Sequence, residues 1–200
     1  MRKEHMLALA LAGALAACQA AEDAGNNAAA KGQGDSSTGG NAQQGQAGRS
    51  IGDAAAQSSD LSQFSQAVQS AGLGDVLKSV GPYTVFAPVN SAFEAVPQET
   101  RSRLLAAEGD QERERLTQLL TFHIVPGVVT VQDLNAAIQR GQGRATLTTV
   151  SGANLTVARE GDALVVSDPS GGRARVVQAD RIQSNGVIHH LDAVLMPGGR

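Results

Sequence analysis

Six side chains in this chain could carry chemistry outside a hydrophobic core: the thiol of Cys18, the imidazoles of His123, His189 and His190, the carboxylate of Asp192 and the amide of Asn90. Imidazole titrates near neutral pH, so it can serve as a base, an acid or a metal ligand. His190 and Asp192 stand two residues apart in an apolar run, and strand alternation would place both on one face with His189 on the other. With a nearby hydroxyl, such a pair could form a serine–histidine–aspartate set. Nothing in the run marks an oxyanion hole, however. There is no His-x-x-x-His spacing and no second cysteine, so metal ligation would need the fold to gather scattered groups. His123 falls on an apolar helical stripe, the usual setting of a buried, hydrogen-bonded histidine. Asn90 suits the cap of a short helix, and Phe93 suits the core behind it.

Cys18 is the sole cysteine and closes the run Leu15-Ala16-Ala17-Cys18. Ahead of it come Arg2 and Lys3, then an apolar stretch from Met6 to Ala17. A bilayer-spanning helix needs about 20 such residues, so this stretch suits the apolar region of a secretory signal instead. The tetrad resembles the bacterial lipobox, in which the thiol is lipidated and the chain is cut just before it. That resemblance implies a signal peptide over 1–17 and a membrane-lipid partner for the acylated Cys18. Two acyl chains anchor stably at about 0.8 kcal/mol per buried methylene. Gln19 follows the cysteine, without the aspartate that can retain such proteins at the inner membrane, which favours the outer membrane or the cell surface.

The elements that would position these groups begin after a polar stretch. Residues 18–56 are rich in Ala, Gly, Gln, Asn and Ser, and Ile51 is their one large aliphatic residue. This composition predicts a disordered, lipid-anchored linker, reaching roughly 35 Å as a flexible coil. Residues 57–200 carry enough apolar residues for one domain. Leu61, Phe64, Val68 and Ala71 share a helical face, Tyr83–Phe86 reads as a strand, and Asn90–Ala95 as a short helix. Helices are predicted over Glu99–Ala107, Asp110–Ile124 and Asp133–Gln139. Strands follow at Ala145–Val150, Leu155–Arg159, Leu164–Ser167, Arg173–Ala179 and Val187–Met196, with Asn185-Gly186 read as a hairpin turn. Helices followed by strands argue an α+β domain. With 16 Lys+Arg against 19 Asp+Glu and no basic block, nucleic acid is not an expected partner.

Three blocks resemble the fasciclin-like (FAS1) domain family. Tyr83-Thr84-Val85-Phe86-Ala87-Pro88-Val89-Asn90-Ser91-Ala92-Phe93 is similar to its first signature. Asn185-Gly186-Val187-Ile188-His189-His190-Leu191-Asp192-Ala193-Val194-Leu195-Met196-Pro197 is similar to its second. Leu120-Thr121-Phe122-His123-Ile124-Val125-Pro126-Gly127 resembles the central segment, with Phe122 where tyrosine is usual and so without its phenol. His190 also stands where an apolar residue is commoner. The resemblance implies a FAS1-type β-wedge of two small sheets with helices packed around it. It also implies non-enzymatic adhesion or binding to an extracellular or periplasmic protein or glycan, with no cofactor. Asn90, Phe93, His123, His189, His190 and Asp192 are then candidates for partner binding or for specifying the fold. A small-molecule or lipid carrier, or a hydrolase, are the rival expectations.

Overall fold

The structure, a computed structural model, describes residues 48–79, 81–106 and 109–198. The expected signal peptide, Cys18 and the linker up to residue 47 lie outside the described residues. Helix α1 (Ile51–Gln57) leads through a 3₁₀ turn (Ser59–Leu61) to α2 (Ser62–Ser70) and α3 (Gly74–Lys78). Then come β1 (Tyr83–Pro88), α4 (Asn90–Glu94), α5 (Gln98–Ala106), α6 (Asp110–Phe122), β2 (Ile124–Pro126) and α7 (Val131–Arg140). The remaining strands are β3 (Arg144–Thr148), β4 (Asn154–Glu160), β5 (Ala163–Ser167), β6 (Arg173–Gln183) and β7 (Gly186–Leu191).

The seven strands run in the order β2-β1-β7-β6-β5-β4-β3. β1 and β7 are parallel, with Val85 opposite Ile188 and Ala87 opposite His190, and every other pairing is antiparallel. β6 joins two half-sheets: Arg173–Arg175 pairs with β5, and Val176–Gln183 pairs with β7 across two irregularities. The outer ends nearly meet, because Val150 donates its N–H to Ile124 O at 2.8 Å and Ser151 to Thr121 O at 3.3 Å. One core, including Phe64, Leu77, Leu116 and Phe93, lies between the helices and the β1–β7 half. The other, including Phe86, Phe122, Leu134, Leu155 and Leu191, fills the wedge under α7.

Three expectations are corrected. The linker does not extend to residue 56: α1 occupies Ile51–Gln57, capped by Ser50, and Ile51 is fully buried. A lone aliphatic residue gives no periodicity, and its burial is decided by tertiary contacts instead. Asn90 does not cap α4, whose cap residue is Val89; its side chain crosses to the turn before α2. There Asn90 Oδ1 accepts the Gln63 N–H at 3.0 Å and its Nδ2 donates to Ser59 O at 2.7 Å, so it caps α2 from a distant strand end. The β6–β7 turn is Ser184-Asn185 rather than Asn185-Gly186, since Gln183 pairs with Gly186. Gly186 is required for another reason: at φ +150° a Cβ there would lie 1.8 Å from Tyr83 O. Asn185 instead receives the Ile51 N–H at 2.8 Å and donates to Leu77 O at 2.9 Å and Ser79 O at 2.8 Å. It thereby fastens α1 and the end of α3 to the sheet.

Candidate functional site

His123 caps the C-terminus of α6 and is fully buried. Its Nδ1 meets Leu119 O at 2.8 Å, and its Nε2 accepts the Leu195 N–H at 3.3 Å. A carbonyl can only accept, so the proton sits on Nδ1 of a neutral ring. Burial pushes its pKa down to about 4, against smaller opposing effects from the Leu119 carbonyl and Asp168. His189 is held in the opposite tautomer. Nδ1 accepts the Asp180 N–H at 3.2 Å, Nε2 donates to Val129 O at 2.8 Å, and the ring stacks on Phe86 at 5.3 Å. Burial lowers its pKa as well, with Val129 and Asp180 pulling upward. Both imidazoles are thus neutral cross-links between chain segments.

His190 shares its side of β7 with Ile188, toward the helices. It is buried, and its Nδ1 has no hydrogen-bond partner among the described residues. Its pKa is pushed down to about 4, chiefly by burial, then by Arg181 and His189, with Asp60 opposing. The strand face expected to hold both His190 and Asp192 is corrected. β7 ends at Leu191, and the exposed Asp192 turns to β6, where its Oδ1 accepts the Arg175 N–H at 2.6 Å. Phe93 is buried in the helix-side core.

A hydrolase would also need a nucleophile, and Gly48-Arg49-Ser50-Ile51-Gly52 has Gly-x-Ser-x-Gly spacing. Ser50 is instead the N-cap of α1, its Oγ accepting Asp53 N–H at 3.2 Å and donating to Asp53 Oδ2 at 2.7 Å. No described residues form a cluster that could hold a metal ion. Two further polar groups, absent from the sequence reading, act as struts. Thr84 Oγ1 donates to Gly127 O at 2.7 Å and accepts Val129 N–H at 2.8 Å. Asp168 accepts N–H bonds from Ser170, Gly172 and Met196 at 2.8, 2.8 and 2.9 Å. The Asp-Pro-Ser-Gly-Gly string signals a local turn but not the reach to Met196.

The surface offers a different kind of site. A mainly apolar cleft of about 340 Å³ opens where Pro82 and Val128 face Ile182 and the β6–β7 turn. Val128 and Ile182, both lining this cleft, are 51% and 58% exposed and so are accessible to a partner. The segment leading into α1 passes close by, since Ser184 donates its N–H to Arg49 O at 2.8 Å. No helix among the described residues is long and apolar enough to cross a membrane.

Together these features define an α+β wedge domain with His123 and His189 tied into its interior and an apolar cleft at its surface. A fasciclin domain family model matches residues 59–197, and the chain belongs to that family. It is 37% identical over 131 residues to protein sll1483 of Synechocystis, covering 66% of this chain and 64% of the relative. It is 34% identical over 125 residues to immunogenic protein MPB70 of Mycobacterium bovis, covering 62% of this chain and 54% of that one. To human periostin it is 30% identical over 152 residues, 76% of this chain but only 16% of the relative. The chain therefore spans less than two thirds of each of these relatives. Its fold is also similar to a FAS1 domain pair from the insect cell adhesion molecule fasciclin I, with a TM-score of 0.63 at 17% identity. That match covers 73% of this chain and 50% of the insect one.

Proposed function

We propose that the protein is an exported, non-enzymatic adhesion-type module, tethered to the outer membrane or cell surface through an acylated Cys18 and binding protein or glycan material with its head. One observation carries this reading. His123 and His189 are locked neutral into backbone hydrogen bonds and Asp192 is committed to the β6 backbone, whereas the cleft beside Val128 and Ile182 is open and apolar. An apolar cleft with half-exposed aliphatic residues at its rim fits a protein segment better than a reacting small molecule. The expected test is retention of envelope or matrix material by the full chain in neutral detergent. The wild type should retain a defined component, and Val128→Glu with Ile182→Glu should lose it while melting at the same temperature. Reproducible turnover of a small substrate, abolished by a histidine substitution that leaves folding intact, would overturn the proposal.

A further inference from the structure

The half-sheet of β3, β4, β5 and the start of β6 turns Leu155, Val157 and Val166 into the wedge core, so the alternate residues face outward. The strand register aligns them in rows. Arg144, Ala158, Val165 and Arg175 form one row across the four strands, and Thr146, Thr156, Ser167 and Arg173 form the next. All three arginines are exposed. One carboxylate shares this face, Glu160, and it is ion-paired to Arg173. That pair reaches across β5, where Val165 is only 2% exposed although it belongs to neither core. Arg144 and Arg175 make no side-chain hydrogen bond or ion pair among the described residues, and the hydroxyls of Thr146, Thr156 and Ser167 are equally unengaged. Asp192, beside Arg175, commits its carboxylate to the Arg175 backbone N–H rather than to the guanidinium.

We infer that this outward face is a second contact surface, built to bind an acidic polysaccharide. The charge is complementary: the guanidiniums of Arg144 and Arg175 project from this face without an ionic partner among the described residues, on a chain whose formal net charge is −3. Arg144 and Arg175 sit three strand spacings apart, about 14 Å at roughly 4.8 Å each, so they meet separate charges on an extended polymer. Each planar guanidinium can fork onto a carboxylate or sulfate. The row of hydroxyls alongside, Thr146, Thr156 and Ser167, matches the donors and acceptors of sugar hydroxyls. No aromatic side chain lies in either row, which leaves nucleobases nothing to stack on and gives a neutral glycan no platform. This surface adds to the proposed binding role and does not depend on the cleft.

The test is affinity electrophoresis of the full chain in neutral detergent, in native gels carrying alginate (carboxylates), heparin (sulfates) or neutral dextran. The protein should be retarded by alginate or heparin and not by dextran, with retardation weakening as salt rises. Arg144→Gln with Arg175→Gln should weaken it roughly tenfold or more, because exposed cations supply the attraction. Arg144→Lys with Arg175→Lys, which keeps the charge, should retain most of it, and Val128→Glu with Ile182→Glu should leave it unchanged. Arg113→Gln with Arg115→Gln makes the same charge change on α6 and should have little effect. The inference is overturned if neither acidic gel retards the wild type, if the α6 variant loses as much as the sheet variant, or if single-stranded oligothymidylate binds more tightly than either glycan.

Discussion

Replacing His123 with alanine should unfold the protein far more readily without touching any surface. The ring bridges Leu119 O and Leu195 N–H, and both backbone groups would be left buried without a partner. Each orphaned group costs about 1–3 kcal/mol. Removing a buried ring also leaves a cavity, and large-to-small changes of this size cost about 2–5 kcal/mol. Allowing for partial relaxation, we expect about 4–6 kcal/mol, a large share of the roughly 5–15 kcal/mol that holds a domain folded. His123→Asn should cost less, because its amide can still donate toward Leu119 O. Urea unfolding at pH 7.5 measures both, with the midpoint falling and the slope constant. The pH dependence adds a second check. The folded pKa is about 4, below the ordinary value of 6.5, so the unfolded state takes up the proton first as pH falls. Stability from the neutral ring is therefore complete above about pH 6.5 and is lost as pH falls to 4, by up to about 3 kcal/mol. His123→Asn should flatten that part of the profile. A loss below about 1 kcal/mol for His123→Ala, or an unchanged acid profile in His123→Asn, would refute the reasoning.

Ile51→Ala should destabilise by about 2–5 kcal/mol, since the side chain is fully buried, and a chain begun at residue 57 should melt lower than one begun at residue 48. Calorimetry of the two lengths decides it, and equal melting temperatures would restore the linker reading of α1. Gly186→Ala should abolish soluble folded protein or sharply lower its melting point, because the added carbon meets Tyr83 O where β1 and β7 pair. Cys18→Ser should move the protein from the membrane to the soluble fraction in its own host, with loss of the acyl mass seen by intact mass spectrometry.

Much of the architecture was legible because its signals are local. Leu61, Phe64, Val68 and Ala71 repeat at helical spacing and are all buried. The β4 strand alternates as its pattern predicts, with Leu155 and Val157 inward and Thr156 outward, whereas the last strand, expected over Val187–Met196, ends at Leu191 and is buried throughout. Positions whose roles depend on distant partners were not legible. Ile51 and Asn185 are 134 residues apart in the chain yet share a hydrogen bond, and no window around either one shows it. Asn90 has the composition of a local cap but serves α2, 27 residues back, because the sheet brings β1's end beside that helix. Asp192 lost its expected face because the ladder stops one residue earlier, and its carboxylate then completes β6. The cleft draws Pro82, Val128 and Ile182 from three separate segments, so only the fold could assemble it.

The most direct measurement compares, for one component retained by the wild type, the affinities of the Val128→Glu/Ile182→Glu and His123→Asn variants at a temperature where all three are folded. Surface recognition requires that the cleft variant lose binding while the histidine variant keeps it. The reverse pattern, with binding or turnover following His123 and indifferent to the cleft, would contradict the assignment of the histidines to the fold and of function to the surface.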